Sequence, residues 1–520
     1  MSTFHGLEVA KRGLFTQQSA LYTTGHNIAN ANTPGYTRQR VNFEQTAPFP
    51  PASRNRPEIP GQVGSGVQAG SIERVREEFL DIQFRGEHNK AGYWETKANS
   101  MQKMEEIMNE PSENGLSKTM DRFWQSLQDL ATNPEDAGAR SVVQQRGIAV
   151  AKTFNYLSDS LKSIQKDLQN EMDVTTKEVN SLLVQIDALN KQISDVEPHG
   201  LLPNDLYDER DRLIDQLSGL IHVEVSYESS DGQASKMAMG KANITLINGS
   251  DRYSLVKADP QTGESSVKPL TVNYTEVNGA EVFGSVTVGD SGNISSFSSQ
   301  GKLLALKEAF GYTTESGIVN GTYPEMLSNL DRMATAFARD FNEVHRSGAS
   351  LNDIKTGDFI GGTDFFKLPA GIPEGEVVNG YAETIDLTDA IKKDPGNIAA
   401  AEIINGEAHA GNGENALNLA DVKDAPLDLL GENSSVKSFY EAVIGGMAVQ
   451  AQESNRMADN SVTLEQAVNQ RRQSVSAVSL DEEMTNMIKF QHAYNAAARS
   501  MTAVDEMLDR IINQMGLVGR

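Results

Sequence analysis

Residues able to do chemistry are few in this 520-residue chain, and each group also has a structural reading. Ser479-Leu480-Asp481-Glu482-Glu483 sets three carboxylates in a row, a composition suited to metal binding or acid–base work. The same spacing starts a helix. Ser479 as N-cap and Glu482 three residues on form a capping box, and Asp481 and Glu483 suit the positive end of the helix dipole. Asp208-Glu209-Arg210-Asp211-Arg212 offers acids beside guanidiniums, but on a helix Asp208 and Arg212 lie four apart and can pair on a solvated face. The eight histidines are scattered, and none stands beside a second histidine or a carboxylate at ligand spacing. Gly64, Gly66 and Gly70 superficially match a nucleotide loop, yet no helix opens behind them. Their alternation with Val63, Val67 and Ile72 predicts a hairpin. No serine occupies a nucleophile elbow and no lysine a phosphate loop. Cysteine is absent, which removes thiol nucleophiles, thiolate metal sites and disulfides together. The expectation is a protein that is not an enzyme, with no cofactor and no metal.

The strong pattern is helical, and it is strongest at the two ends. Phe4, Leu7, Leu14, Leu21 and Ile28 recur at threes, fours or multiples of seven near the N-terminus. Met484, Met487, Tyr494, Ala498, Met501, Leu508, Ile512 and Met515 follow the same rule near the C-terminus. Such spacing is the seam of a coiled coil, and chain ends seldom carry one unless something buries it. These residues are the predicted assembly seam.

Between the ends the chain changes character several times. A helix over 1 to about 30 stops at Asn27, Asn30, Asn32, Pro34 and Gly35: asparagine tolerates the left-handed region, glycine supplies positive φ, and proline blocks further helix. The prolines that follow exclude helix to about 60. Long helices fill 73–220, the best of them over 143–196. There, two in-phase blocks (Phe154 to Leu168 and Leu182 to Val196) flank Glu171 and Thr175, where the seam is interrupted or wetter. A helix of that span is about 80 Å long, a rod. From Ile221 the period becomes alternating, and 221–300 reads as short antiparallel strands. Helix is predicted again from Gly301 to His345, with mixed structure over 351–430 and helix from Val436 onward. The fold class expected is multidomain α plus β. Residues 1–60 and 475–520 pair as a terminal coiled-coil-like domain; 61–220, 301–350 and 431–474 form a long-helix rod domain; 221–300 is an inserted antiparallel β domain; and 351–430 is a small insertion packed on the rod domain.

Composition narrows the partners. The formal charge is −25, so binding to nucleic acid or an anionic membrane surface is not expected. No run approaches the ~20 apolar residues of a membrane span, and Gly6, Glu8, Lys11 and Arg12 interrupt any signal-peptide core.

The segment Gly25-His26-Asn27-Ile28-Ala29-Asn30-Ala31-Asn32-Thr33-Pro34-Gly35-Tyr36-Thr37-Arg38 resembles the N-terminal signature of bacterial flagellar rod, hook and hook-associated proteins. Ser479 through Glu483, then Gln491, Ala493-Tyr494, Thr502 and Asp505-Glu506-Met507-Leu508, resemble the matching C-terminal signature. The helix at Asp208–Leu213 and the run Gln450–Glu453 through Arg471–Ser476 resemble the hook-associated branch. The signature residues are then Asn27, Asn30, Asn32, Pro34, Gly35, Tyr36, Ser479, Asp481, Glu482, Glu483, Gln491, Asp505 and Glu506. The resemblance implies a structural subunit of the bacterial flagellum at the hook–filament junction, which self-assembles through its terminal helices into a tubular ring or helix. Its implied neighbours are the hook protein and the next, filament-side hook-associated protein. It also implies type III export without signal cleavage, an export chaperone on the C-terminal helix, and an extracellular location. A rod or hook protein is the alternative within the family, and a wall-processing hydrolase in the inserted domains is the alternative outside it.

Overall fold

The structure, a computed structural model, describes residues 4–50, 53–54, 61–110, 112–230, 232–258, 265–277, 279–290, 292–314, 316–357, 362–369, 373, 375–431 and 434–514. Helix α1 (Phe4–Ala29) leads into a ribbon of β1 (Gln39–Gln45) and β2 (Val67–Arg74), then α2 (Glu78–Met108), α3 (Leu116–Thr132), α4 (Ala137–Val196) and α5 (Asn204–Leu220). Strands β3 (Val223–Glu228), β4 (Lys241–Asn248), β5 (Asp251–Ala258), β6 (Ser265–Val267), β7 (Leu270–Val277), β8 (Ala280–Val288) and β9 (Asn293–Ile294) follow. Next come α6 (Lys302–Phe310), β10 (Tyr312–Thr313), β11 (Val319–Asn320) and α7 (Thr322–Ser347). The mixed stretch holds β12 (Gly348–Ala349), α8 (Leu351–Thr356), α9 (Tyr381–Thr384), α10 (Asp389–Lys393), β13 (Ala401–Glu402) and α11 (Glu414–Asp421), and α12 (Val436–Ser476) and α13 (Leu480–Asp509) complete the chain's main elements.

Two compact units result. The first draws on Met1–Asn89, Val179–Pro269 and Val462–Arg520, the second on Lys90–Glu178 and Leu270–Ser461. The stretch 221–300, read from sequence as one insertion, forms two sheets, one per unit. In the first unit β3-β4-β5-β6 is an antiparallel meander. In the second, β7 and β8 pair antiparallel while β10 adds to β8 in parallel. Alternation alone could not show the division, because both sheets have the same period.

The second unit has the larger aromatic core. On α3, Leu116, Met120, Phe123, Trp124, Leu127 and Leu130 share one buried face at helical spacing. They meet Phe337 and Phe341 of α7 and the adjacent Phe365 and Phe366, with ring centroids 4.9–6.3 Å apart. Asn342 fixes the incoming segment: its Nδ2 donates to the Phe366 carbonyl (2.7 Å), and its Oδ1 accepts the amides of Phe365 (2.9 Å) and Phe366 (2.8 Å). On α4 the seam does not open at Glu171 and Thr175. Thr175 is buried, Met172 fills the core between Leu168 and Val179, and Glu171 turns outward to Lys302 at 2.9 Å.

Other expectations are corrected. The strand around Val67–Ile72 is real, but its partner is β1 rather than its own neighbourhood, paired as Gln39↔Arg74 through Gln45↔Val67. The helix expected over 301–345 is broken where Gly311 takes φ +112° and the short pair β10–β11 intervenes. The cluster on α5 is not a solvated face. Asp208, Arg210 and Asp211 are buried, and Arg212 pairs with Glu209 instead of Asp208. Asp208 and Asp211 instead receive Arg74 at 2.7 and 2.9 Å, and Asp211 also receives Arg76 at 3.1 Å. Burial pushes the Asp211 carboxyl up, but Arg76, Arg74, Arg85 and Arg210 outweigh it and hold the group well below the usual carboxylate range. For Asp208 burial wins, and its pKa is raised despite Arg74 and the Thr37 amide. Sequence spacing along one helix could not reveal cations supplied by β2 and α2.

His345 gives the second unit a measurable pH response. Fully buried, it contacts the Thr363 carbonyl through Nδ1 (2.6 Å), while Nε2 accepts the Ala399 amide (3.0 Å), so the neutral ring fits and a second proton has no place. Burial pushes its pKa down to about 4. The unfolded ring titrates near ~6.5. Its contribution is therefore complete above that value and falls by roughly 3 kcal/mol as pH drops toward 4. Asp340 acts oppositely: burial, Glu343 and Asp428 raise it to about 6, so its protonation favours the fold as pH falls through that value. Both tryptophans, Trp94 and Trp124, lie in this unit. Urea unfolding followed by tryptophan fluorescence should lose stability more steeply between pH 6.5 and 4.5 in the native chain than in H345Q. Equal slopes would refute the assignment to His345.

Candidate functional site

The two predicted terminal helices come together. A Cβ built on Gly6 would stand 3.7 Å from Val504 Cγ2, one on Gly13 would stand 3.8 Å from Ala497 Cβ, and Asn27 Nδ2 lies 3.1 Å from Glu483 Oε2. Seven residues forward along α1 match seven back along α13, and the next fourteen do the same. The pair is antiparallel and keeps one register along its length. On α1 the buried residues are small or polar: Ala10, Thr16, Ala20, Thr23, Thr24 and Asn27. On α13 the buried residue is Glu483. Backbones approach closely at Gly6 and Gly13, which carry no side chain at the contact.

The predicted seam residues are distributed accordingly. Leu7, Leu14, Leu21, Ile28, Met487, Tyr494, Ala498, Met501 and Leu508 are half-buried. Phe4, Met484 and Ile512 are exposed, and Met515 lies outside the described residues. Phe15 (55% exposed) and Tyr22 (70%), seven apart, continue an outward face of α1 that begins at Phe4. Ile488 (54%) stands one turn after Met484 on α13, and Met507 and Ile511 form another outward pair.

At the root of the pair, signature residues converge on one carboxylate. Asn27 behaves as a strand would: its Nδ2 donates to the Gln39 carbonyl (2.8 Å) and its Oδ1 accepts the Gln39 amide (2.9 Å), while the same Nδ2 reaches Glu483. Tyr36 Oη donates to Asn27 Oδ1 (2.8 Å). Burial, then Asp205, Asp208 and Glu483, push the phenol above its ordinary value, so it stays a donor. Arg38 Nε donates to Glu483 Oε1 (2.8 Å), Arg38 Nη1 to Glu482 Oε2 (2.6 Å), and the Arg38 amide to the Ser476 carbonyl (2.9 Å). The Thr37 amide and the Gln39 side chain fasten the segment to α5 through Asp208 (2.8 Å) and Asp205 (2.9 Å). Gly35, at φ +82°, makes the turn that brings Tyr36 back over α1. Asn30 closes the helix end, donating through Nδ2 to the His26 carbonyl (3.1 Å) and accepting from Thr33 Oγ1 (3.1 Å).

This geometry corrects the capping box. Ser479 holds the N-cap position but makes no side-chain cap bond, and the Glu482 side chain goes to Arg38 and that of Glu483 to Arg38 and Asn27. Asn32, Pro34, Asp481, Gln491, Asp505 and Glu506 are exposed. Sequence reasoning did not single out Arg38, Gln39 or Ser476 as partners. The available signal was a basic residue just past the turn at one end and paired acids at the helix start of the other. Among the described residues no group of three or more histidines or acids could hold a metal ion, and no helix is long and apolar enough to cross a membrane.

Glu483 is buried with two donors, so truncation takes the acceptor from Arg38 Nε and leaves Asn27 Nδ2 with the Gln39 carbonyl alone. E483A should raise the population of open α13, seen as trypsin cutting at the exposed Lys489 and Arg499 faster by about tenfold. E483Q, which keeps an acceptor, should fall between E483A and the native chain. Unchanged cutting in E483A would show that the knot does not hold the helix.

Comparison with known proteins agrees with this arrangement of ends and interior. The model described as flagellar hook-associated protein FlgK helical domain matches residues 101–366. Those for the flagella basal body rod protein and the flagellar basal body rod FlgEFG protein C-terminal match 7–37 and 469–515. The chain is 47% identical to flagellar hook-associated protein 1 of Bacillus subtilis, over 100% of both chains. It is 28% identical to the protein of that name from Escherichia coli, over 97% of this chain and 98% of the other. The solved flagellar hook junction protein FlgK from Burkholderia pseudomallei shares the fold, with a TM-score of 0.57 and 14% identity over 77% of this chain and 100% of that one. With a full-length relative at 47% identity, the hook-associated helical domain in its interior and rod-protein motifs at both ends, this chain belongs to the flagellar hook-associated protein 1 family.

Proposed function

We propose that this chain is a structural subunit joining the flagellar hook to the filament, assembling through α1 and α13 into an axial tube. The observation that carries the reading is the division of labour in the terminal pair. Gly6 and Gly13 stand at the intramolecular contact, while Phe4, Phe15, Tyr22, Met484, Ile488 and Met507 are exposed. A contact between unlike faces of neighbouring copies is heterologous and closes into a ring or propagates as a helix. The hook protein is its neighbour on one side, and the next hook-associated protein its neighbour on the other. Before assembly the exposed stripe on α13 needs cover, which an export chaperone supplies. Type III export without signal cleavage and an extracellular location complete the reading.

Electron microscopy tests it. Cells lacking this protein should carry hooks without filaments, with filament subunits lost to the medium. Restoring the native chain should restore filaments. F15D/Y22D should not, although its outward substitutions leave the Asn27–Glu483–Arg38 root and the isolated protein's helix content unchanged. Normal filaments in the deletion strain would contradict the junction role, and full rescue by F15D/Y22D would contradict assembly through this face.

A further inference from the structure

The chain holds 17 methionines and no cysteine, so thioethers are its only sulfur. They divide by position. Met101, Met104, Met172 and Met333 are buried in the core, where close packing leaves no room for an oxidant beside the sulfur. Met484 (58% exposed) and Met507 (56%) stand in water on α13. Each belongs to an apolar row at four-residue spacing, and every member of the two rows is exposed. Leu480, Met484 and Ile488 make one row, Met507 and Ile511 the other. Methionine suits such a surface because its unbranched, polarizable side chain adapts to what covers it.

The same property opens the sulfur to a peroxide. A sulfur lone pair attacks one peroxide oxygen, the O–O bond breaks, and the second oxygen leaves as water. Sulfur is oxidised and the peroxide reduced by the same electron pair, with no further reactant. The product, methionine sulfoxide, is polar where the thioether was apolar, and it disrupts methionine-rich contact surfaces. At Met484 the change sets a strong acceptor between Leu480 and Ile488, and a neighbouring copy that covered this row would bury the acceptor without a donor.

We infer that Met484 and Met507 form a modification site, converted to sulfoxides by a peroxide in the unassembled chain, and that the modified chain is excluded from the axial tube. This rests on the tubular reading above, in which a neighbouring copy covers the exposed rows of α13. Assembly then ends the reaction, because a covered sulfur no longer meets the oxidant.

Hydrogen peroxide followed by peptide mass mapping tests this on the purified full-length chain and on intact flagella. In the purified chain Met484 and Met507 should gain oxygen at least about tenfold faster than Met104 and Met172, which react only when the fold opens. In flagella the two should slow by about tenfold. Filament number is then counted in the strain lacking this protein. M484Q/M507Q, polar without any oxidant, should restore about tenfold fewer filaments than the native chain. M484L/M507L, which keeps the apolar volume, should restore them fully. So should M237Q, a polar change at a 45% exposed methionine outside α13. With expression induced in sublethal peroxide, filament number should fall for the native chain and hold for M484L/M507L. Buried and exposed methionines oxidising alike, full rescue by M484Q/M507Q, an equal loss in M237Q, failure of M484L/M507L without peroxide, or equal peroxide sensitivity of these two chains would overturn the inference. The mapping uses the native chain alone and stands whether or not the variants fold. Oxidation as fast in flagella as in the purified chain would sink assembly through α13 itself, whereas shielding in flagella with full rescue by M484Q/M507Q would sink this inference alone.

Discussion

Glu483 is the point on which the terminal structure depends. One buried carboxylate accepts Asn27 from the end of α1 and Arg38 from the chain that has just turned back, so a residue near the C-terminus closes a loop begun near the N-terminus. Burying a carboxylate is costly unless it is fully paired, and removing either donor leaves a charge that water cannot reach. That cost makes the arrangement specific. The seam above it is built of short side chains that would tolerate sliding, and the knot admits one register, much as a single buried polar residue fixes a coiled coil.

Rigidity at the root and availability beyond it go together. The knot is tied to α5 through Asp205 and Asp208, and α5 is tied to β2 and α2 through Arg74, Arg76 and Arg85. The direction in which α1 and α13 run from this root is thereby set by polar bonds within the first unit. Past the root, the same helices leave Phe4, Phe15, Tyr22, Met484, Ile488 and Met507 in water. A monomer gains little from such a surface, whereas a repeating assembly can bury it on every copy.

How much of this could be read from the residues differs element by element. The terminal helices and the turn at Asn27–Gly35 were plain, because glycine, proline and 3.5-residue periodicity act locally. The acids of Ser479–Glu483 were visible as a helix start, but their true partner was not. Arg38 lies some 445 positions away, and no local rule reports a bond across that separation. The same holds for α5, where intrahelical spacing suggested a surface pair and the cations came instead from β2 and α2. The predicted stripes mark which residues are apolar; which of them face the partner helix is decided by how closely two backbones approach, and Gly6, Gly13 and Ala20 set that. The sheets of 221–300 show the reverse case, with every strand visible as alternation and the division between units invisible.

Amide exchange across Leu480–Asp509 tests the central claim most directly. If α13 is held at Glu483 and completed by neighbouring copies, amides beyond the first turns should exchange readily in the isolated protein and become strongly protected in assembled flagella. Protection of the whole helix in the isolated chain, equal to that in flagella, would contradict it.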